Sequence, residues 1–163
     1  MTQTCFTLDS PIGPLHLESD GSALTRLTIV GRVSPVAPHA CSPTPDRVIK
    51  TATKQLGEYF AGKRKAFDLP LAVAGTEFQR AIWAQLEDIA FGEVRGYGQL
   101  GAAIGKPTAS RAVGGCVGAN PIAVIIPCHR VLASDARITG FSGGDGIATK
   151  QWLLDHEGIS YRP

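Results

Sequence analysis

Residues 122–131 read IAVIIPCHRV: five apolar side chains and a proline, then a cysteine, a histidine and an arginine in succession. A thiolate is a strong nucleophile near neutral pH, and an imidazole is the side chain best suited to take the thiol proton. Cys128 and His129 therefore supply a nucleophile and a base, and Arg130 adds positive charge that favours the thiolate. The competing reading is plain packing. A free cysteine is commonly a small buried hydrophobe, and His129 and Arg130 would then be a surface pair. Pro127 cannot join a ladder, so the thiol is expected at the end of a short buried strand over residues 121–126. Consecutive strand side chains face opposite ways, so a working Cys–His couple needs a turn or a bridging water.

Two other arrangements carry possible chemistry. GFSGG, residues 140–144, has the form of a nucleophile elbow centred on Ser142. That motif needs a strand before it and a helix after it, and SDARIT is a poor strand. Asp155 and His156 are adjacent and cannot align as a relay, so the segment reads as a glycine-rich loop and a pocket wall. Cys5, His16, His39 and Cys41 could offer zinc donors. Their spacing matches no standard pattern, and no metal is expected. The four cysteines form no CxxC pair, and the opening MTQTCFTLDS has no basic, apolar leader. They read as free thiols in a reducing cytoplasm. No apolar run approaches the length of a membrane span.

Positioning these groups requires a scaffold. Alternation and turn residues predict strands within 4–10, 13–19 and 23–30. Residues 31–45, with four prolines, read as a loop. A helix follows, capped by Thr44 with Pro45 in its first position, burying Ile49, Ala52, Leu56 and Tyr59 and ending at Gly62. AFDLPLAV is a further strand or an extended linker. A second unit opens at Thr76, which has capping-box spacing to Gln79, with Phe78, Ile82, Leu86 and Ile89 on one face. Two short helices, YGQLGAAIG and TASRAVGGCVG, are joined at Lys106-Pro107 and suggest a helix-turn-helix. A final helix, ATKQWLLDHEG, stops at Gly158.

The second helix of the pair is crowded with Ala, Ser and Gly, which add little to a core, and Arg111 is its one large cation. Such a face lets backbone approach backbone and suits docking on nucleic-acid phosphates, with Arg111 free to enter a groove. The 163 residues carry a net charge of only +2, so such a surface must come from local placement. A hydrophobic fraction of 44% against 18% charged is enough for a real core in one domain or two small lobes.

IPCHRV, preceded by RAVGGCVGANPIAVI and followed by TGFSGG and WLLDHEG, closely resembles the O6-alkylguanine-DNA alkyltransferases, also called methylated-DNA–protein-cysteine methyltransferases. LDSPIGPLHL and LGEYFAGK resemble the amino-terminal lobe of that family. The resemblance implies a two-lobe α/β fold. Residues 1–73 would form a small antiparallel sheet with a helix, ribonuclease H-like, and residues 74–163 a mostly helical, winged helix-turn-helix-like lobe. It also implies a single-use reaction in double-stranded DNA, without cofactor: Cys128 takes the alkyl group from O6 of an extruded guanine. A water-bridged relay would run Cys128–His129–Glu157, with Tyr97 donating to the departing guanine and Asn120 supporting the catalytic turn. Arg111 would fill the vacated stack, and Ala109, Ser110, Ala112, Gly114 and Gly115, with Tyr97, would lie along the minor groove. Backbone at Val131 and near Cys128, with Ser142, would read the guanine edge. Phe141 stands where many members have tyrosine, keeping a stacking wall but losing a hydroxyl. The expected state is a cytoplasmic monomer able to cluster on DNA. Two other classes compete: a lesion-binding protein without transfer, against which Cys128 argues, and a cysteine hydrolase, which leaves Arg111 and the helix pair unexplained.

Overall fold

The computed structural model describes residues 3–36 and 41–163. Alternating apolar positions fold into β1 (Thr4–Leu8), β2 (Leu15–Ser19) and β3 (Leu24–Ile29), an antiparallel meander in that order. Leu15, Leu17, Leu24, Leu27 and Ile29 are buried on one face of the sheet. Helix α1 (Arg47–Phe60) packs there with Ile49, Ala52, Leu56 and Tyr59 buried, as their spacing predicts. Its cap is Asp46 rather than Thr44. The Asp46 carboxylate accepts from the Ile49 N–H at 2.9 Å and the Thr4 hydroxyl at 2.7 Å, and an anion suits the positive helix end. Residues 70–72 form an extended linker, with Leu24 N–H donating to the Pro70 carbonyl and Ala72 N–H to that of Leu24.

The capping box at Thr76 and Gln79 starts α2 (Glu77–Glu87). The expected helix pair follows as α3 (Tyr97–Ala103) and α4 (Ser110–Gly118), with α5 (Ile147–His156) last. β4 (Arg95–Gly96) pairs in parallel with β5 (Val131–Leu132). The bend after α3 demands glycine, since a Cβ at Gly101 would lie 2.6 Å from the Lys106 carbonyl oxygen. The Trp83 indole N–H donates to the Cys116 carbonyl at 2.8 Å and ties α4 to α2.

Residues 121–126 are not the predicted strand. Pro121 and Ala123 bond the backbone of Leu27 in β3, and the chain then folds back on itself, with Ile126 N–H donating to the Ile122 carbonyl and Val124 at φ 70°. Every residue from Ile122 to Ile126 is buried, and an apolar run of this length cannot distinguish a strand from a buried turn. Asn120 decides the shape. Its side-chain amide donates to the Ile126 carbonyl at 2.7 Å and accepts from the Ile122 N–H at 3.1 Å.

The expectation of four free thiols fails at two positions: Cys5 and Cys41 form a disulfide, with Cα atoms 5.9 Å apart. The cause is backbone pairing invisible in spacing. Cys5 N–H donates to the Ser42 carbonyl and Ser42 N–H to that of Gln3, which brings residue 41 against β1. His39 lies outside the described residues. Cys116 and Cys128 are free and buried. Among the described residues, no helix is long and apolar enough to cross a membrane. Among the described residues the larger apolar core, including Leu17, Tyr59, Ile82, Val113, Ile126 and Leu153, runs from the sheet through the helices, and a smaller one gathers Leu132, Leu154 and Ile159.

Candidate active site

Cys128, His129 and Arg130 form a single 3-10 turn directly after Pro127, so the thiol opens a turn rather than ending a strand. The turn removes the alternation that would have set Cys128 and His129 on opposite faces. His129 is 0% exposed and Arg130 5%, which excludes a surface pair.

Beneath the turn, Glu157 gathers donors from four residues at the end of α5. His129 Nε2 lies 2.6 Å from its Oε2. Arg130 grips both oxygens, Nε at 2.7 Å and Nη2 at 3.0 Å, while its Nη1 donates to the Ile89 carbonyl at 2.6 Å. The Tyr59 hydroxyl, from α1, donates to Oε2 at 2.7 Å, and the Gly92 N–H reaches Oε1 at 3.3 Å. Burial alone would push the carboxyl pKa up. The hydrogen bonds and charges of His129 and Arg130 outweigh it and hold the group far below the usual carboxylate range. For His129 burial wins: it pushes the imidazole down despite Glu157, so the ring is neutral at rest. An ionised Glu157 can only accept, so Nε2 carries the hydrogen and Nδ1 is left as the basic nitrogen. That Nδ1 is buried with no hydrogen-bond partner among the described residues.

The thiol departs from expectation. Burial pushes the Cys128 pKa up, against lowering by a hydrogen bond from Asn120 and the charge of Lys150. Arg130 turns its guanidinium onto Glu157 and the Ile89 carbonyl. Cys128 is thus a neutral thiol at rest that needs a nearby base.

Cys128 opens into a cavity of about 280 Å³ walled by Tyr97, Thr139, Phe141, Ser142 and Lys150, with Gly114, Val117, Gly118 and Gly140 completing it. This is just under the roughly 300 Å³ lower bound for drug-sized ligands and suits a small ring. The Tyr97 hydroxyl is 2.8 Å from that of Thr139, and Ser142 donates to the Gly118 carbonyl at 2.6 Å. Val131 is buried, its carbonyl accepting at 2.6 Å from the Nζ of Lys150, which lines the cavity. On α4, Val113, Cys116 and Val117 are buried. Ser110, Arg111, Ala112 and Gly115 are exposed, and Ala109 and Gly114 half-buried.

Two family profiles match the chain: "6-O-methylguanine DNA methyltransferase, ribonuclease-like domain" over residues 4–73 and "6-O-methylguanine DNA methyltransferase, DNA binding domain" over residues 77–159. The chain belongs to the 6-O-methylguanine DNA methyltransferase family. The methylated-DNA–protein-cysteine methyltransferase of Mycobacterium tuberculosis (strain H37Rv) is 44% identical over 151 residues, 93% of this chain and 90% of that protein. That of Methanosarcina acetivorans is 42% identical over 151 residues, 92% and 95% of the two. The crystal structure of the Mycobacterium tuberculosis O6-methylguanine methyltransferase superposes with a TM-score of 0.87 at 42% identity, covering 99% of this chain and 96% of that one. The Mycobacterium tuberculosis OGT in complex with DNA gives a TM-score of 0.86 at 43% identity, covering 94% and 92%.

Three residues of this methyltransferase family member escaped the reading of its sequence as site components: Tyr59, Lys150 and Thr139. Tyr59 was expected only as core, and nothing local links it to a residue 98 positions away. Lys150 did leave a signal. It lies seven residues before Glu157, two helical turns away on the same buried side, where a lone cation is unexpected. It is 1% exposed, and burial lowers its pKa to about 8, opposed by Cys128. Its second bond, 3.4 Å to the Gly140 carbonyl, reaches the pocket loop.

Proposed function

We propose that this protein repairs DNA by direct reversal, moving a methyl or other small alkyl group from guanine O6 to Cys128, once per molecule. The observation that carries this reading is the buried Cys128 thiol on a base-sized cavity, beside a histidine whose basic Nδ1 is unengaged and whose Nε2 is anchored by Glu157. The thiol proton passes, through a water, to His129 Nδ1. The thiolate attacks the alkyl carbon in line, the carbon–O6 bond breaks with its electron pair going to the guanine, and a thioether remains. Tyr97 donates toward the departing base, and Asn120 holds the turn. Neither a metal nor a cofactor enters this chemistry.

A base within a duplex exposes O6 only when flipped out. Arg111, with Ala109, Ser110, Ala112, Gly114 and Gly115, is assigned to the minor groove, Arg111 filling the gap. Phe141 stacks on the base, with Val131 backbone and Ser142 near its edge. The protein works as a monomer on double-stranded DNA in the cytoplasm. Residues 1–73 and 74–163 are taken as its two lobes.

The deciding experiment mixes the protein with a duplex carrying one O6-methylguanine and maps the protein by peptide mass spectrometry. One methyl on the Cys128 peptide, saturating at one per chain, is expected. Unmodified protein that still retains the lesion duplex would mean a damage reader instead. Arg111→Ala should slow repair of the duplex by about tenfold or more while leaving reaction with free O6-alkylguanine base within about twofold, since only the duplex requires extrusion. Equal losses on both substrates would remove the finger role.

A further inference from the structure

The outer face of the sheet carries a second cluster of reactive side chains, remote from the alkyl-transfer relay. The donor atoms of Cys5, His16 and Cys41 all lie within 4.8 Å of one another. They come from three segments: Cys5 from β1, His16 from β2, and Cys41 from the stretch beside β1. His16 stands opposite Thr7 in the ladder, so it is the diagonal neighbour of Cys5 on the same face. That face is the reverse of the one carrying Leu15 and Leu17. The ladder fixes Cys5 and His16, and the two backbone bonds of Ser42 to Cys5 and Gln3 fix Cys41. The donors are thus placed by bonds that do not depend on the disulfide. Besides the two sulfurs, the His16 imidazole meets the Thr7 hydroxyl, 3.4 Å from Nδ1.

We propose that the reduced form of this cluster binds one zinc-class divalent cation through Cys5, His16 and Cys41, and that the disulfide is its metal-free, oxidised state. Two thiolates and an imidazole are a donor set that zinc favours, and three protein ligands leave a fourth, exchangeable position for water. A dithiol reductant supplies two electrons and two protons to open the disulfide, becoming a disulfide itself. The cation then displaces both thiol protons. A small-molecule disulfide takes two electrons from the two thiolates and, with two protons from water, leaves as two thiols; this restores the sulfur–sulfur bond and expels the ion, so each sulfur serves either the metal or its partner. The site escapes sequence patterns because its spacing is set by strand register rather than by one short loop.

The test uses the full chain, reduced with a dithiol and freed of it without air, with Co²⁺ as the probe. Reduced protein should take up one equivalent, giving thiolate-to-cobalt charge-transfer absorption and the strong visible bands of a tetrahedral site, both abolished by added Zn²⁺. The disulfide form should take up none. Cys41→Ser and His16→Gln should each weaken uptake by more than the roughly tenfold that even an outer partner of a metal site costs. Cys128→Ala should bind as wild type, which separates this site from the catalytic thiol. Reduced wild type without the charge-transfer band overturns the proposal, as does a band that survives Cys41→Ser, is unchanged in His16→Gln or vanishes with Cys128→Ala.

Discussion

Glu157→Ala should lower the unfolding free energy by about 3–5 kcal/mol, the usual cost of leaving a buried charge without its partner. Here three buried side chains, His129, Arg130 and Tyr59, lose theirs at once. Arg130 is 5% exposed and would keep its charge with only the Ile89 carbonyl to accept it. Tyr59 would hold a buried hydroxyl with no carboxylate. At roughly 2–4 °C per kcal/mol for a chain of this size, thermal denaturation should show a fall of about 6–20 °C. Glu157→Gln should cost less, because its oxygen still accepts from Arg130. It should nonetheless slow alkyl transfer, since its amide nitrogen would face the His129 and Tyr59 donors. The acid response gives an independent check. The folded pKa is depressed, so the stabilisation is complete well above the ordinary value of 4.5 and is lost as pH falls below it. Glu157→Ala should remove that share of the acid sensitivity. An unchanged melting temperature would show that the network does not support the fold.

Cys128→Ala should abolish alkyl transfer while leaving affinity for lesion-bearing duplex within about twofold. The argument rests on separation in space. The sulfur is the atom that forms the new bond, whereas the exposed side of α4, with Ser110, Arg111, Ala112 and Gly115, is assigned to the DNA. Of the other described side chains on the cavity, the buried Lys150 amine is held on the Val131 carbonyl at 2.6 Å. The Tyr97 and Ser142 hydroxyls are already hydrogen-bonded, to Thr139 and Gly118, and are far weaker nucleophiles. Methyl transfer from labelled duplex and electrophoretic retention of the same duplex measure the two properties side by side. Joint loss of both would mean that Cys128 supports the binding surface as well.

The parts of the molecule legible in its sequence are those ruled by local pattern. Thr76 and Gln79 announce α2, Gly158 ends the last helix, and the apolar periodicity of Ile49, Ala52, Leu56 and Tyr59 gives the buried face of α1. The motif residues Cys128, His129, Asn120 and Glu157 were legible as a set through their family resemblance, and they converge in space. The failures share a cause: each turns on a partner far along the chain. Residues 121–126 pack on β3 rather than forming a strand of their own, and Asn120 closes them into a turn. Arg130 looked like an activator of the neighbouring thiol until Glu157, 27 positions on, claimed it. Thr44 lost the helix cap to Asp46, which Thr4 of β1 helps to hold. Cys41 meets Cys5 across 36 residues through backbone pairing that no spacing rule records.

The Tyr59–Glu157 hydrogen bond has a consequence for dissecting the chain. It crosses from α1 to the end of α5, and β3 gives its backbone at Leu27 and Ile29 to Pro121, Ala123 and Gly144. The carboxyl-terminal half is therefore not a transplantable module. Expressed alone it would lose one of the donors to its central carboxylate and the edge on which its catalytic turn is moulded. Grafting the helix pair onto another scaffold would carry the DNA-facing surface with it and leave the chemistry behind.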